Sequence, residues 1–165
     1  MKKLILVTMA VFVSSSAFAG LNDLIGHYNL VNSQVEGKTF CYRNIDIVQE
    51  ENGLLSLYRS DTSEYGPIVS AAVNGAKREN SYSHGEALST TKGNDSVIFK
   101  DETLSFAFDG VTSILGVPAM RTSDSFTIKL SADKKTAYAV RKTFDGPVAG
   151  LGKRAKALCE YSKAE

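Results

Sequence analysis

The sequence predicts an all-β domain: a single antiparallel up-and-down β-barrel of about 8–10 short strands, with a β-sandwich as the alternative architecture. Three observations carry this reading. Apolar and polar residues alternate along several runs: Leu104, Phe106 and Phe108 oppose Ser105, Ala107 and Asp109, and Phe126, Ile128 and Leu130 oppose Thr127, Lys129 and Ser131. Glycines recur at positions 26, 37, 53, 66, 75, 85, 93 and 110, the spacing of a strand plus a turn. No interior stretch repeats apolar residues at the 3.6-residue period of an amphipathic helix.

The first 19 of the 165 residues have a different character. Lys2 and Lys3 precede the apolar run Leu4–Val13, and Ala17-Phe18-Ala19 offers small residues at the positions a signal peptidase reads. Residues 1–19 are therefore expected to be a secretory signal peptide of bacterial type, cut after Ala19. The apolar stretch falls short of the roughly 20 residues that a spanning helix needs. Residues 20–165 follow as one domain, expected to be a monomer in the periplasm or outside the cell. In that span 17 basic and 18 acidic side chains leave a net charge of −1. Such a balance gives no warrant for nucleic acid and argues against binding to an anionic membrane surface.

Strands are expected over 26–31, 44–49, 54–60, 67–73, 82–90, 96–100, 103–109, 125–131 and 136–144. The clearest hairpins turn through Glu50-Glu51-Asn52-Gly53 and Ala132-Asp133-Lys134-Lys135. Asn74-Gly75, Lys92-Gly93-Asn94-Asp95 and Asp109-Gly110 read as further turns, because asparagine and glycine tolerate positive φ. Residues 110–124 read as a long connection containing Val111, Ile114, Leu115, Val117 and Met120, either plugging a barrel end or forming a lid or partner-binding patch. Asp61–Pro67 reads as a polar recognition loop carrying Tyr65, and Gly146–Gly152 as a mobile connection. The tail, Lys153–Ala164, is assigned to a last strand, since Ala157, Cys159 and Tyr161 alternate. On that assignment Cys159 lies beside Cys41, and in an oxidising compartment the two cysteines form a disulfide.

The inventory of chemistry is short. His27 and His84 lack ligand spacing, so His27 reads as a rim residue of the first strand and His84 as an exposed turn residue. Asp61, Glu64, Asp101 and Glu102 form no calcium loop. No nucleophile elbow, P-loop or dinucleotide fingerprint is present. No catalytic residue, metal site or cofactor is expected.

The segment Leu24-Ile25-Gly26-His27-Tyr28-Asn29-Leu30-Val31 resembles the Gly-x-Trp opening of the first strand in lipocalins and related calycin barrels. The resemblance implies that Tyr28, in the tryptophan's place, closes the barrel base against an arginine late in the chain, for which Arg141 is the candidate. It also implies a binding function for a small apolar or amphipathic ligand. Tyr58, Phe106, Phe108, Phe126 and Tyr138 would then line the cavity, with Met120 and Arg121 at its mouth. The alternative function is a secreted protein-binding module, such as a protease or lysozyme inhibitor or an envelope interaction protein.

Overall fold

A computed structural model describes residues 16–60, 66–84 and 89–164. A short helix, α1 (Ser16–Leu24), precedes ten strands: β1 (Gly26–Glu36), β2 (Asn44–Gln49), β3 (Leu55–Arg59), β4 (Val69–Ala71), β5 (Arg78–His84), β6 (Ser89–Lys100), β7 (Thr103–Ile114), β8 (Val117–Leu130), β9 (Thr136–Pro147) and β10 (Lys153–Lys163). They form one antiparallel up-and-down sheet in the order β4-β3-β2-β1-β10-β9-β8-β7-β6-β5, nearly closed into a barrel. The expected fold class holds, and so does the strand assignment of the tail.

Closure relies on side chains where the ladder runs out. Val73 and Val97 form a single parallel bridge. Beside it Asn74 behaves as a short piece of strand: its Nδ2 donates to the Phe99 carbonyl at 3.1 Å and its Oδ1 accepts from the Phe99 amide at 2.9 Å. Asn74 holds φ 54°, a conformation asparagine tolerates better than most residues. One level along β6, the buried Asp95 carboxylate accepts from the Ser70 amide and from Asn80 Nδ2. Its other oxygen has no hydrogen-bond partner among the described residues, and burial holds the carboxyl above the ordinary carboxylate range.

The inward residues form one contiguous core that includes Tyr28, Ile45, Ile47, Leu57, Val97, Leu104, Phe106, Phe126, Ile128 and Tyr161. Leu21 and Leu24 of α1 seal one end, and the Tyr28 hydroxyl donates to the Leu24 carbonyl at 2.8 Å. Large and small residues complement each other across the ladders. Phe126 sits opposite Arg141 and then Ala157, while Ile128 sits opposite Ala139 and then Cys159. A barrel this narrow has no room for a large side chain at every inward position.

Three expectations for the strands are corrected. Residues 110–124 are not a loop: β7 and β8 run on to a two-residue turn, Leu115-Gly116, with φ of 50° and 80° as tight hairpins require. Lys92–Asp95 lies within β6, so the expected strand 82–90 is divided between β5 and β6, and 96–100 is only the end of a longer strand. Gly93 and Gly110 are not turn residues but face each other in the ladder. A Cβ on Gly93 would lie 2.4 Å from the Asp109 carbonyl oxygen and 2.7 Å from the Phe108 ring, which covers both glycines. Most of the polar loop 61–67, including Tyr65, lies outside the described residues, as do 1–15, 85–88 and 165.

β6 to β10 are much longer than β2 to β4, so the rim is uneven. On one side the sheet projects as a tongue, ending in the β7–β8 turn and the 148–152 connection. The strap between β1 and β2 is bound to the barrel beneath it by a disulfide, Cys41–Cys159, with a sequence separation of 118.

Candidate functional site: a cationic cleft on the outer sheet face

Residues of one parity along β8, β9 and β10 face outward, and on the tongue those positions carry charge. Ser123 lies opposite Phe144, which lies opposite Arg154; Ser125 lies opposite Lys142, which lies opposite Lys156. With Arg121 and Glu36 they line an open cleft of about 670 Å³. Four cations therefore share one cleft with a single carboxylate. Among the described residues Lys142, Arg154 and Lys156 belong to no ion pair, and Arg121 reaches Asp109 only at 3.3 Å in an exposed contact. The serine hydroxyls and the half-buried Phe144 ring supply a polar wall and an apolar one.

The same outward parity continues down the strands away from the cleft. Lys142 is followed by Val140 and Tyr138 on β9, and Lys156 by Leu158 on β10. Tyr138 and Leu158 are exposed and, with Val140, border a shallower groove next to β1. From Lys142 to Tyr138 is roughly 14 Å along an extended strand. The result is an amphipathic strip, with cations at one end and Val140, Tyr138 and Leu158 beyond, where Glu160 lies opposite Tyr138 at the far end.

Behind this face, inside the barrel, lies a buried clamp. Arg141 donates from Nε to both Asp124 oxygens at 3.1 Å and from Nη2 to Oδ2 at 2.5 Å. Its Nη1 donates to the Phe40 carbonyl at 3.1 Å, and its guanidinium stacks over the Tyr42 and Phe40 rings at 4.2 and 4.4 Å. The Tyr42 hydroxyl donates to Asp124, and the Tyr161 hydroxyl donates to the Tyr42 carbonyl. Burial and the Asp124 charge push the Tyr42 hydroxyl well above the ordinary tyrosine range, so it stays a donor. Residues 40–42 of the strap are thus held by a guanidinium, a disulfide and a phenol.

Another polar cluster sits at the other end of β1, away from Glu36. His27 Nδ1 lies 2.5 Å from Asp46 Oδ1 and its Nε2 lies 3.1 Å from Asn29 Oδ1. The Ser60 hydroxyl donates to Asp46 Oδ2 at 2.6 Å, so its proton goes to the carboxylate rather than to the imidazole. A relay would need the serine and the carboxylate on different ring nitrogens, and here both face Nδ1. Among the described residues no group of His, Cys, Asp and Glu could hold a metal ion.

No family model, curated protein or solved structure matches the chain.

Several expected site residues stand elsewhere than the sequence suggests. Tyr138 points outward, 57% exposed, while Ala137 and Ala139 take the inner positions next to bulky Leu130, Ile128 and Tyr161. Tyr58 shares the face of Asp46 and bonds to Glu50 at 2.7 Å. Phe106, Phe108 and Phe126 are inside and packed into the core, Phe126 meeting Tyr161 and Phe108 meeting Tyr82 edge to face. Phe108 also reaches an open cleft at the barrel mouth with Arg59, Tyr82 and Asp124. Met120 is exposed on the tongue, and Arg121 lines the cationic cleft. Tyr28 and Arg141 do not form the expected barrel-closing pair. Their partners on β10, Lys163 and Ala157, are six positions apart, and Tyr28 meets Leu24 and Lys163 while Arg141 meets the strap. The sequence missed the cluster Lys142, Arg154 and Lys156; its only available signal is that all three keep the outward parity of β9 and β10.

Proposed function

We propose that this chain is an exported, non-enzymatic binding protein that takes a small anionic amphiphile on the outer face of its barrel. The observation that carries this reading is the cationic cleft joined to the strip of Val140, Tyr138 and Leu158. Cations without ion-pair partners favour an anionic head group, and an exposed apolar strip beside them favours a short hydrocarbon tail. Phe106, Phe126, Ile128 and Tyr161 pack together in one core, which supports a ligand held on the outer face rather than among them. The resemblance at Gly26–Tyr28 supports the same class of ligand. The signal-like residues 1–19 support export to the periplasm or beyond, and the disulfide is compatible with that destination.

Titration calorimetry with dodecyl phosphate below its micelle concentration tests this. Lys142→Gln combined with Lys156→Gln removes one exposed and one half-buried charge, each contributing about 0.5–1 kcal/mol, and is expected to weaken binding about 5- to 30-fold. The parent's affinity should fall as salt rises. Equal affinity in parent and variant, or equal binding of the uncharged dodecyl alcohol, would refute the reading.

A further inference from the structure

Six exposed apolar side chains are gathered at the end of the tongue. Ile114, Leu115 and Val117 form the β7–β8 turn, Met120 follows, and Val148 and Leu151 come from the adjoining β9–β10 connection. The two segments are one surface: the Val148 amide donates to the Ala119 carbonyl, and Met120 pairs with Pro147 in the ladder. Leu115 is 75% exposed and Leu151 fully so. Each of these side chains is at least 43% exposed, and a tip of this kind is where soluble domains meet a partner or a lipid surface.

Charge selects between those occupants. Met120 and Leu151 share a cleft of about 580 Å³ with Lys38, Lys153 and Arg154, just behind the apolar tip. Arg121 stands at the same level, facing Asp109. Three carboxylates stand at this end, Asp109 paired with Arg121, Asp145 bonded by the Thr122 hydroxyl, and Glu36, so the cations Lys38, Arg121, Lys153 and Arg154 outnumber them. A chain that is nearly neutral from residue 20 onward thus concentrates cations behind its most exposed apolar point. The sum of charges conceals this, because a local field depends on where charges stand. An apolar tip with a basic collar fits an anionic bilayer, the tip entering the acyl boundary and the cations meeting the phosphates.

The geometry points to peripheral docking of the tongue on an anionic lipid surface, through Leu115, Val117 and Leu151 with Lys38 and Lys153 as the collar. No membrane span is involved; among the described residues no helix is long and apolar enough to cross. This inference goes beyond the proposed cleft ligand: the tip side chains and Lys38 and Lys153 lie outside that cleft, while Arg121 and Arg154 border it.

Protein purified from the periplasm after expression of the full chain is sedimented with vesicles of phosphatidylglycerol and phosphatidylethanolamine, and with phosphatidylcholine vesicles as the neutral control. Leu115→Ser with Leu151→Ser should lower partition onto the anionic vesicles about tenfold or more, while dodecyl phosphate binding in the cleft is retained. Lys38→Gln with Lys153→Gln should weaken partition and flatten its salt dependence. Because all four side chains are exposed, both variants are expected to fold. Parent protein that ignores anionic vesicles, or a tip variant that binds them like the parent, would overturn the proposal. So would sedimentation velocity showing a dimer that the tip variant dissolves, since the occupant would then be a second copy.

Discussion

Replacing Asp124 by alanine tests the clamp that holds the strap to the barrel. The Arg141 side chain is 9% exposed and that of Asp124 23%, so the guanidinium is the more deeply buried partner. Without Asp124, Arg141 keeps one carbonyl acceptor and two ring faces, and its charge is no longer matched. Breaking a buried pair in this way costs about 3–5 kcal/mol. Asp124 is partly open to water, which can reach the vacated site, so the expected loss lies near the lower figure, about 3 kcal/mol. For a domain of this size that corresponds to a fall in Tm of roughly 6–12 °C. Arg141→Met removes the charge from the other side and leaves a carboxylate that water can solvate, so a smaller loss of about 1–2 kcal/mol is expected. The double variant should lose clearly less than the sum of the two, because neither charge is stranded. Urea unfolding followed by circular dichroism measures all three. Losses that add within about 0.5 kcal/mol would show that the two groups are not coupled and that the clamp reading is wrong.

Other expectations follow from the same structure. Cys41→Ser with Cys159→Ser should lower stability by up to about 5 kcal/mol on a chain-entropy basis, since the bridge closes a loop of 118 residues; a loss under about 1 kcal/mol by urea unfolding would contradict it. Gly93→Ala forces a Cβ against the Asp109 carbonyl and the Phe108 ring, and should destabilise by about 1–3 kcal/mol, whereas Gly53→Ala meets no atom nearby and is disfavoured only by its positive φ. A Gly93→Ala protein as stable as the parent would remove the case for the paired glycines. The hydrogen bond to Asp46 holds the His27 pKa above its ordinary 6.5, so the folded state binds the proton more tightly. That contribution is fully present below pH 6.5 and fades as pH rises through the folded value; because the side chains are 39% and 31% exposed, solvent screening should keep it below about 1 kcal/mol. Comparing the pH dependence of unfolding in the parent and in His27→Gln checks the sign, and a parent that loses this increment on acidification would reverse it.

Local pattern was enough to read some of this molecule and not the rest. The β2–β3 hairpin was legible because Ile45 and Ile47 alternate and Asn52-Gly53 supplies a turn, both within a dozen residues. The last strand and its cysteine were legible from the alternation of Ala157, Cys159 and Tyr161. The same local rules misread Gly93 and Gly110 as turns. What those glycines answer to is a ring laid across two strands, which no short window contains. Tyr138 was set on the wrong face because alternation gives two faces without saying which is inner. The choice falls to volume: Tyr161, Ile128 and Phe126 fill the interior from neighbouring strands, so β9 contributes alanines there. The resemblance at Gly26–Tyr28 offered Arg141 as the partner of Tyr28, but the rings it meets are Tyr42 and Phe40 on the strap. The cleft drew on Arg121, Lys142, Arg154 and Lys156, spread over three strands, and only the register brings them together.

The most direct test of the cleft is a chemical-shift map of the isotopically labelled protein titrated with dodecyl phosphate. The largest amide shifts should fall at Ser123, Ser125, Lys142, Phe144 and Lys156, and extend to Tyr138 and Leu158 as the tail takes its place. Shifts centred instead on Phe106, Phe126 and Ile128, with the outer face silent, would mean that the barrel opens to hold its ligand inside and would contradict the assignment.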